Sequence, residues 1–447
     1  MDKAGMEEPG RRIAVIGSGI AGLSAAWLLS GRHEVVLYEA EPRPGGHSNT
    51  VDVPEKGLAV DTGFIVYNET NYPNLVALFS HLGVATEASD MSLAVSLDNG
   101  RVEYSGTGIN GLIGRRGNVV SPRFWGMVKD LMRFYREAPA LLGAGRSEAL
   151  TLGEYLEEGG YGPAFIEDHL LPMAGAIWSA SAAEIRAFPA LAFVRFFHSH
   201  GLLLLSRRPR WRTVSGGSRR YVERMLADCS AELRAGAPVA RVTREEDGVT
   251  VTDAGGHADR FSEVVIATHA DQALALLGDA DATEWTGLSA FRYSQNRAVL
   301  HSDERLMPKR RRVWSSWNVI GDTGGHEDKP LSVTYWMNRL QNIDPRHPLF
   351  LSLNPPKPVE AEKTIAEFTY THPIFDAPAI GAQASLWRLQ GRRRTFFAGS
   401  YFGYGFHEDA LQAGLAAAEA AGGVRRPWSV AEESGRISLA PHLLAAE

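Results

Sequence analysis

The chain has 447 residues, 44% hydrophobic and 22% charged, the composition of a globular protein with two or more domains. A net charge of −6 argues against a general nucleic-acid binder. The single cysteine, Cys229, excludes an intrachain disulfide and a cysteine-based metal cluster, and fits a reducing compartment. The opening MDKAGMEEPGRR is too polar for a signal peptide. No apolar run approaches the roughly 20 residues needed to span a bilayer. A cytoplasmic location is expected.

Taken in chain order, the first elements are a short apolar run, Ile13 to Ile16, which predicts a buried parallel strand. Gly17-Ser18-Gly19-Ile20-Ala21-Gly22 follows as a full G-x-G-x-x-G. A helix is predicted from Leu23 to Leu29, and a second strand from Glu34 to Tyr38, ending at Glu39. Each part has a physical job. Gly17 permits a tight turn, Gly19 lets a pyrophosphate approach the backbone, and Gly22 lets the helix pack on the strand. The helix N-terminus offers free N–H groups and a positive dipole end to phosphates. Glu39 stands where a carboxylate accepts both ribose hydroxyls. Glycines alone are weak evidence, but here strand, turn, helix, strand and acid all fall in order.

The continuation separates one dinucleotide from another. Glu39-Ala40 leads to a Gly45-Gly46 pair and His47, and then to VDTGFIVYN at 60–68. This resembles the extended signature of the amine oxidase, phytoene desaturase and protoporphyrinogen oxidase superfamily of FAD enzymes. The resemblance implies that Gly45, Gly46 and His47 run along the flavin ribityl and pyrophosphate. It also places Thr62, Gly63, Phe64 and Ile65 against the isoalloxazine. Where the superfamily has arginine after the glycine pair, this chain has His47. The simplest reading is a substitute that hydrogen-bonds the ribityl chain or pyrophosphate. A group that titrates beside the flavin is the alternative, and the mode of flavin attachment stays open.

In the middle of the chain, segment 122–142 carries apolar residues at 124, 127, 128, 131, 135 and 138 on one helical face, with Lys129, Arg133 and Arg136 elsewhere. A helix packing on its own core is the plainer reading; a basic amphipathic helix docking on lipid is the sharper one. LLLLSRRPRWR (202–212) and MPKRRRVW (307–314) add basic-aromatic clusters. His198 and His200 form H-x-H, but no third ligand stands in pattern, so they read as structural or cavity histidines and no metal site is expected. WRTVSGGSRRYVERML (211–226) resembles the superfamily's return to the FAD domain. Strands are predicted at 238–243, 248–253 and 263–267, with Thr268 at the end of the last strand; the resemblance implies that the backbone around Val239 meets the adenine.

Near the C-terminus, FFAGSYFGYGFHEDALQAG (396–414) predicts a strand at 395–398, a glycine-rich turn and an Ala-rich helix. In the superfamily this final piece faces the flavin. The resemblance therefore puts Gly399 and Ser400 near the ribityl and pyrophosphate. It aims the start of the helix, at Asp409, Ala410 and Leu411, at the flavin pyrimidine, where a helix dipole stabilises negative charge. Tyr401 and Tyr404 join His47 as candidate catalytic residues. Beyond Gly422 no pattern is strong, and a loosely packed tail is expected.

The expected fold class is α/β: a Rossmann-type FAD-binding domain built from separated segments, plus an α+β substrate domain. The boundaries read as FAD-binding segments at 10–84, 206–284 and 391–424, substrate-domain segments at 85–205 and 285–390, and a tail at 425–447. Several phrases, among them FFHSHGLL, VTYWMNRLQNI and FTYTHPIFD, resemble a bacterial family described as predicted NAD/FAD-binding flavoproteins. Its members are associated with cyclopropane-fatty-acid-synthase-like methyltransferases. The resemblance implies an FAD oxidoreductase taking hydride from an unsaturated or modified acyl chain, by desaturation or double-bond isomerisation. Expected partners are a small-molecule or lipid substrate, a fatty-acid methyltransferase and the inner face of a membrane, with no nucleic acid. An amine oxidase releasing hydrogen peroxide and a flavin-bearing methyltransferase partner are the alternatives.

Overall fold

The apolar runs of the sequence assemble a five-stranded parallel sheet in the order Glu232–Arg234, Glu34–Tyr38, Arg12–Ile16, Glu263–Ile266, Thr395–Phe397. Its middle strands are buried on both faces, which is why they read as continuous apolar runs rather than alternating ones. The structure is a computed structural model and describes residues 10–143, 150–206, 208–322 and 331–439. Helix Ile20–Ser30 starts directly at the glycine turn, three residues before the predicted start, and buries ten of its positions. It packs on helix His407–Gly422. Close approach is enforced at Gly414, where a Cβ would fall 2.1 Å from the Ala21 carbonyl oxygen.

Strands Val239–Arg244, Val249–Asp253 and Ala258–Phe261 form a small antiparallel sheet beside the parallel one. A second large sheet has seven strands, ordered Thr364–Ile374, Arg292–His301, Phe350–Leu353, Ser332–Trp336, Trp317–Gly321, Leu93–Leu97, Val102–Ser105. It is antiparallel except where Trp317–Gly321 meets Leu93–Leu97. Helices from 109 to 199 pack beside it around an aromatic cluster of Trp178, Phe188, Phe193, Phe196 and Phe197. Within this group, the predicted 122–142 helix is an α-helix over Pro122–Glu137 continued by a 3-10 turn, Ala138–Gly143.

The expectation of a loose tail is overturned for residues 424–439. Arg426 is 3% exposed and bonds Glu419, Asn74 and the Glu433 carbonyl. Trp428 stacks on Trp27 at 5.8 Å, and Arg436 pairs with buried Asp409 at 2.6 Å. Polar anchoring of this kind leaves no hydrophobic period to read. Residues 440–447 of that tail lie outside the described residues.

Candidate functional site

Two sheets frame one cavity of about 810 Å³, with the carboxyl ends of the parallel strands on one side and the seven-stranded sheet on the other. Ligands of open α/β sheets bind at such strand ends. At Gly17 the backbone is left-handed (φ +97°), and a Cβ would meet the Ala267 carbonyl oxygen at 2.7 Å. At Gly22 a Cβ would sit 1.8 Å from the Gly17 carbonyl oxygen. The protein's own packing requires both glycines. Gly19 is different: a Cβ there meets nothing within 4 Å. It opens the cradle at the helix N-terminus toward whatever fills the cavity. Gly46 (φ +54°) packs its Cα edge on Gly19, so the second glycine pair closes over the first loop. Glu39 accepts the Ser18 N–H at 2.9 Å, the Ser18 hydroxyl, and the Glu41 N–H at 2.8 Å. Its carboxylate is thereby held at the mouth beside Ala237, Pro238 and Val239.

Further in, polar groups come from distant parts of the chain. The Phe64 N–H donates to the His47 carbonyl at 2.7 Å, and a Cβ on Gly63 would lie 2.1 Å from the same oxygen. The His47 ring lies 5.1 Å from Tyr370, 5.7 Å from His372 and 6.4 Å from His269, centroid to centroid. Burial, then the neighbouring histidines, push the His47 imidazole down to about 3, and burial lowers His372 to about 4. Both rings are neutral at pH 7. The Asn296 side-chain amide donates to His372 Nδ1 at 3.0 Å, which leaves the proton of the neutral ring on Nε2. Tyr370 accepts from the Asn49 amide at 2.9 Å and donates to Thr62 Oγ1, which passes its own proton to the Asn49 carbonyl. At the start of helix His407–Gly422, His407 stacks on Phe64 at 3.9 Å and bonds the Tyr221 hydroxyl at 2.7 Å. The buried His47 Nε2 has no hydrogen-bond partner among the described residues, as expected of a wall that meets a bound group.

Of the residues picked from the sequence, Gly17 to Ala21, Glu39, Ala40, Gly46, His47 and Thr62 to Ile65 line this cavity. Val239, Thr268, Gly399, Ser400 and Ala410 complete that set. The structure does not bring the others to the wall. Gly22 and Gly45 support the loops from behind; the Gly45 N–H donates to the Ser18 carbonyl at 3.0 Å. Asp409 is fully buried and holds the turn before its helix, accepting the Tyr404 and Phe406 N–H groups. Leu411 is core. Tyr401 is 1% exposed, wedged against Phe291 and Phe402. Tyr404 packs on the aromatic helical core near Phe196. Neither tyrosine reaches the cavity, because the glycine turn carries their rings away from it. His200 does line it, buried and stacked on Phe196 at 3.9 Å, whereas His198 is exposed. Sequence reasoning missed His269, Tyr370, His372 and His407 as wall residues, although His269 directly follows Thr268 and the others sit inside FTYTHPIFD and GFHED.

Apart from Ser179, Gln272 and Thr371, the remaining wall is mostly apolar. Met91, Ile177, Phe196, Leu202, Leu351 and Leu353 form much of it, with Trp317 and Tyr335 from the large sheet. Glu39 and Glu41, both beside the glycine loop, are the only Asp, Glu, Lys or Arg side chains among the described residues that line the cavity.

This arrangement of glycine cradle, acid after the second strand and interior cavity is that of a dinucleotide-binding fold. Residues 20–301 match the family described as flavin containing amine oxidoreductase, and the chain belongs to that family. Its cofactor is FAD. A flavin-containing monoamine oxidase assignment from Mycobacterium tuberculosis is 27% identical over 260 residues, 55% of this chain and 54% of that protein. The chain therefore spans about half the length of that curated relative, and a tenth of an L-amino-acid oxidase from Demansia vestigiata that it matches at 46% identity over 54 residues. A CLA-producing fatty acid isomerase from P. acnes superposes with TM-score 0.65 at 18% identity, covering 90% of this chain and 97% of that one. Cyclohexylamine oxidase from Brevibacterium oxydans gives 0.67 at 18% identity, covering 93% and 99%. At these identities the structural likenesses show the fold.

Proposed function

We propose that this protein is an FAD-dependent oxidoreductase that takes a hydride from an apolar, unsaturated or modified acyl chain, giving desaturation or double-bond isomerisation. The observation that carries the reading is the inner wall without a charged side chain. A cationic amine or an amino acid carboxylate would be desolvated there without a partner, at a cost of several kcal/mol. An acyl chain loses nothing. A fatty acid isomerase among the structural neighbours agrees with the reading. Peripheral association with a membrane and with a lipid methyltransferase belongs to the same reading.

FAD, when bound, supplies a two-electron acceptor for the hydride. The chain's own residues do the rest. The Gly17–Gly22 loop and the helix behind it hold phosphates, and Glu39 takes the ribose hydroxyls. Helix His407–Gly422 presents its N-terminus to the cavity, favouring negative charge there. His372, with its tautomer fixed by Asn296, offers an Nε2–H donor, and neutral His47 stands beside it to hold or pass a proton. The apolar wall excludes water.

The test is an anaerobic visible spectrum of the holoprotein before and after adding an unsaturated phospholipid, with mass spectrometry of the lipid. Bleaching with a new double bond supports desaturation. An unbleached flavin with a moved double bond supports isomerisation. An unchanged spectrum and unchanged lipid overturn the proposal. Amine oxidation is the second reading, favoured by the family to which the chain belongs; hydrogen peroxide released with amines in air, and none with lipid, would establish it instead.

A further inference from the structure

Among the described residues, and apart from Leu233 and Trp285, the exposed large apolar side chains all come from residues 109–142 and 204–205. Helix Pro122–Glu137 accounts for the centre of this region. It buries Phe124, Met127 and Phe134. Its outward stripe is Trp125, Lys129, Met132 and Arg136, at spacings that put all four on one side. Trp125 is 48% exposed and Met132 45%. A solvent-facing stripe normally carries polar groups only; this one alternates large apolar groups with cations.

The acids of the helix lie off the stripe. Asp130 accepts the Gly162 N–H at 2.7 Å, and Glu137 pairs with Arg136. Arg123 is tied to Glu167 and Asp168. Lys129 makes no ion pair among the described residues. The Trp125 indole N–H donates to the Val119 carbonyl at 2.9 Å, which fixes the ring beside Val120. At the other end Phe134 of the helix and Leu203 share one buried cluster, with Tyr135 and Leu202 packed against it. The exposed Leu204–Leu205 turn, held by the Arg208 guanidinium donating to the Leu204 carbonyl at 2.8 Å, leaves the same core as the helix. Two residues earlier, Leu202 lines the cavity.

We propose that this face docks on an anionic lipid bilayer, the helix lying in the interface plane and the 201–205 turn forming the lipid-side entrance to the cavity. Apolar side chains interleaved with cations on one helical stripe fit the boundary between headgroups and acyl chains. A protein interface fits less well, since lysine is depleted at interface cores. No helix among the described residues is long and apolar enough to cross a membrane, so the contact is with one surface. Docking stands on this surface alone; the entrance role rests on the acyl-chain reading.

The experiment is flotation of the holoprotein with vesicles of phosphatidylcholine alone, or with about one third phosphatidylglycerol. The protein should float with the anionic vesicles and be released by high salt. Trp125→Ser with Met132→Ser, and separately Lys129→Glu with Arg136→Glu, should each lower binding about tenfold or more with the flavin content unchanged. Trp285→Ser, an exposed tryptophan elsewhere, should change nothing. Lys129→Glu alone replaces either double variant that loses flavin. The proposal is overturned if the wild type stays in solution with anionic vesicles, as a surface for a protein partner would. It is also overturned if binding survives the Lys129 variants. Turnover of detergent-dispersed lipid by the variants reads the acyl-chain chemistry separately, so a failure of docking and a failure of that reading give different results.

Discussion

Gly19 and Gly22 are the same residue type under different constraints. The loop's own backbone would collide with a side chain at Gly22, whereas at Gly19 the space is open. Gly19→Ala should therefore leave the apoprotein within about 1 kcal/mol of wild type, the scale of an altered helix N-cap. It should weaken FAD binding about 10- to 100-fold, since on the proposed reading the methyl group stands where the phosphates approach. Urea unfolding of the apoprotein and flavin-fluorescence titration read the two effects independently. The glycines were legible in the sequence because backbone geometry is a local property. His47 was legible as the odd residue in a patterned stretch. His372 and Tyr370 were not, because their role comes from a strand more than 300 positions away meeting Asn49 and Thr62. Tyr401 and Tyr404 looked promising for the opposite reason: an aromatic beside a glycine turn gives no clue to which way its ring points.

At the scale of elements, helix His407–Gly422 depends on a buried polar assembly at its first turn. Glu408 accepts the Asn74 and Leu75 N–H groups, and Asp409 holds its own turn and Arg436. Removing Arg436 leaves Asp409 buried without a cation. Arg436→Met should cost about 3–5 kcal/mol at pH 8, measured by urea unfolding. Burial already holds the Asp409 carboxyl above its ordinary value despite the arginine. In the variant it rises further. A raised carboxyl binds its proton more tightly in the folded state, so its contribution is favourable at low pH and is lost as pH rises through the folded value. The deficit of the variant should therefore shrink as the pH falls from 8 toward 4. The strand-turn-helix order of this element was legible; its anchoring by residues 426–436 was not, since buried ion pairs carry no period.

Across the whole molecule, the three visits to the parallel sheet were legible because each carries a local signature: a glycine loop, a Gly-Gly turn, an Ala-Gly turn. The seven-stranded sheet was marked only as the remainder between those visits. Its strands alternate weakly, and Arg292–His301 pairs with partners at 350–353 and 364–374 that no local pattern foretells.

The edge strand Thr395–Phe397 has a consequence for how the protein is made. It pairs with Glu263–Ile266, while the first strand leaves the ribosome more than 350 residues earlier. At about 5–20 residues per second of synthesis, the glycine cradle waits tens of seconds for its last wall. Cofactor capture then belongs to the end of synthesis rather than its beginning. Ribosome-stalled chains ending at residue 390 should not retain FAD, whereas chains carrying residues through 439 beyond the exit tunnel should; retention by the shorter chains would show that the cradle closes without its final strand.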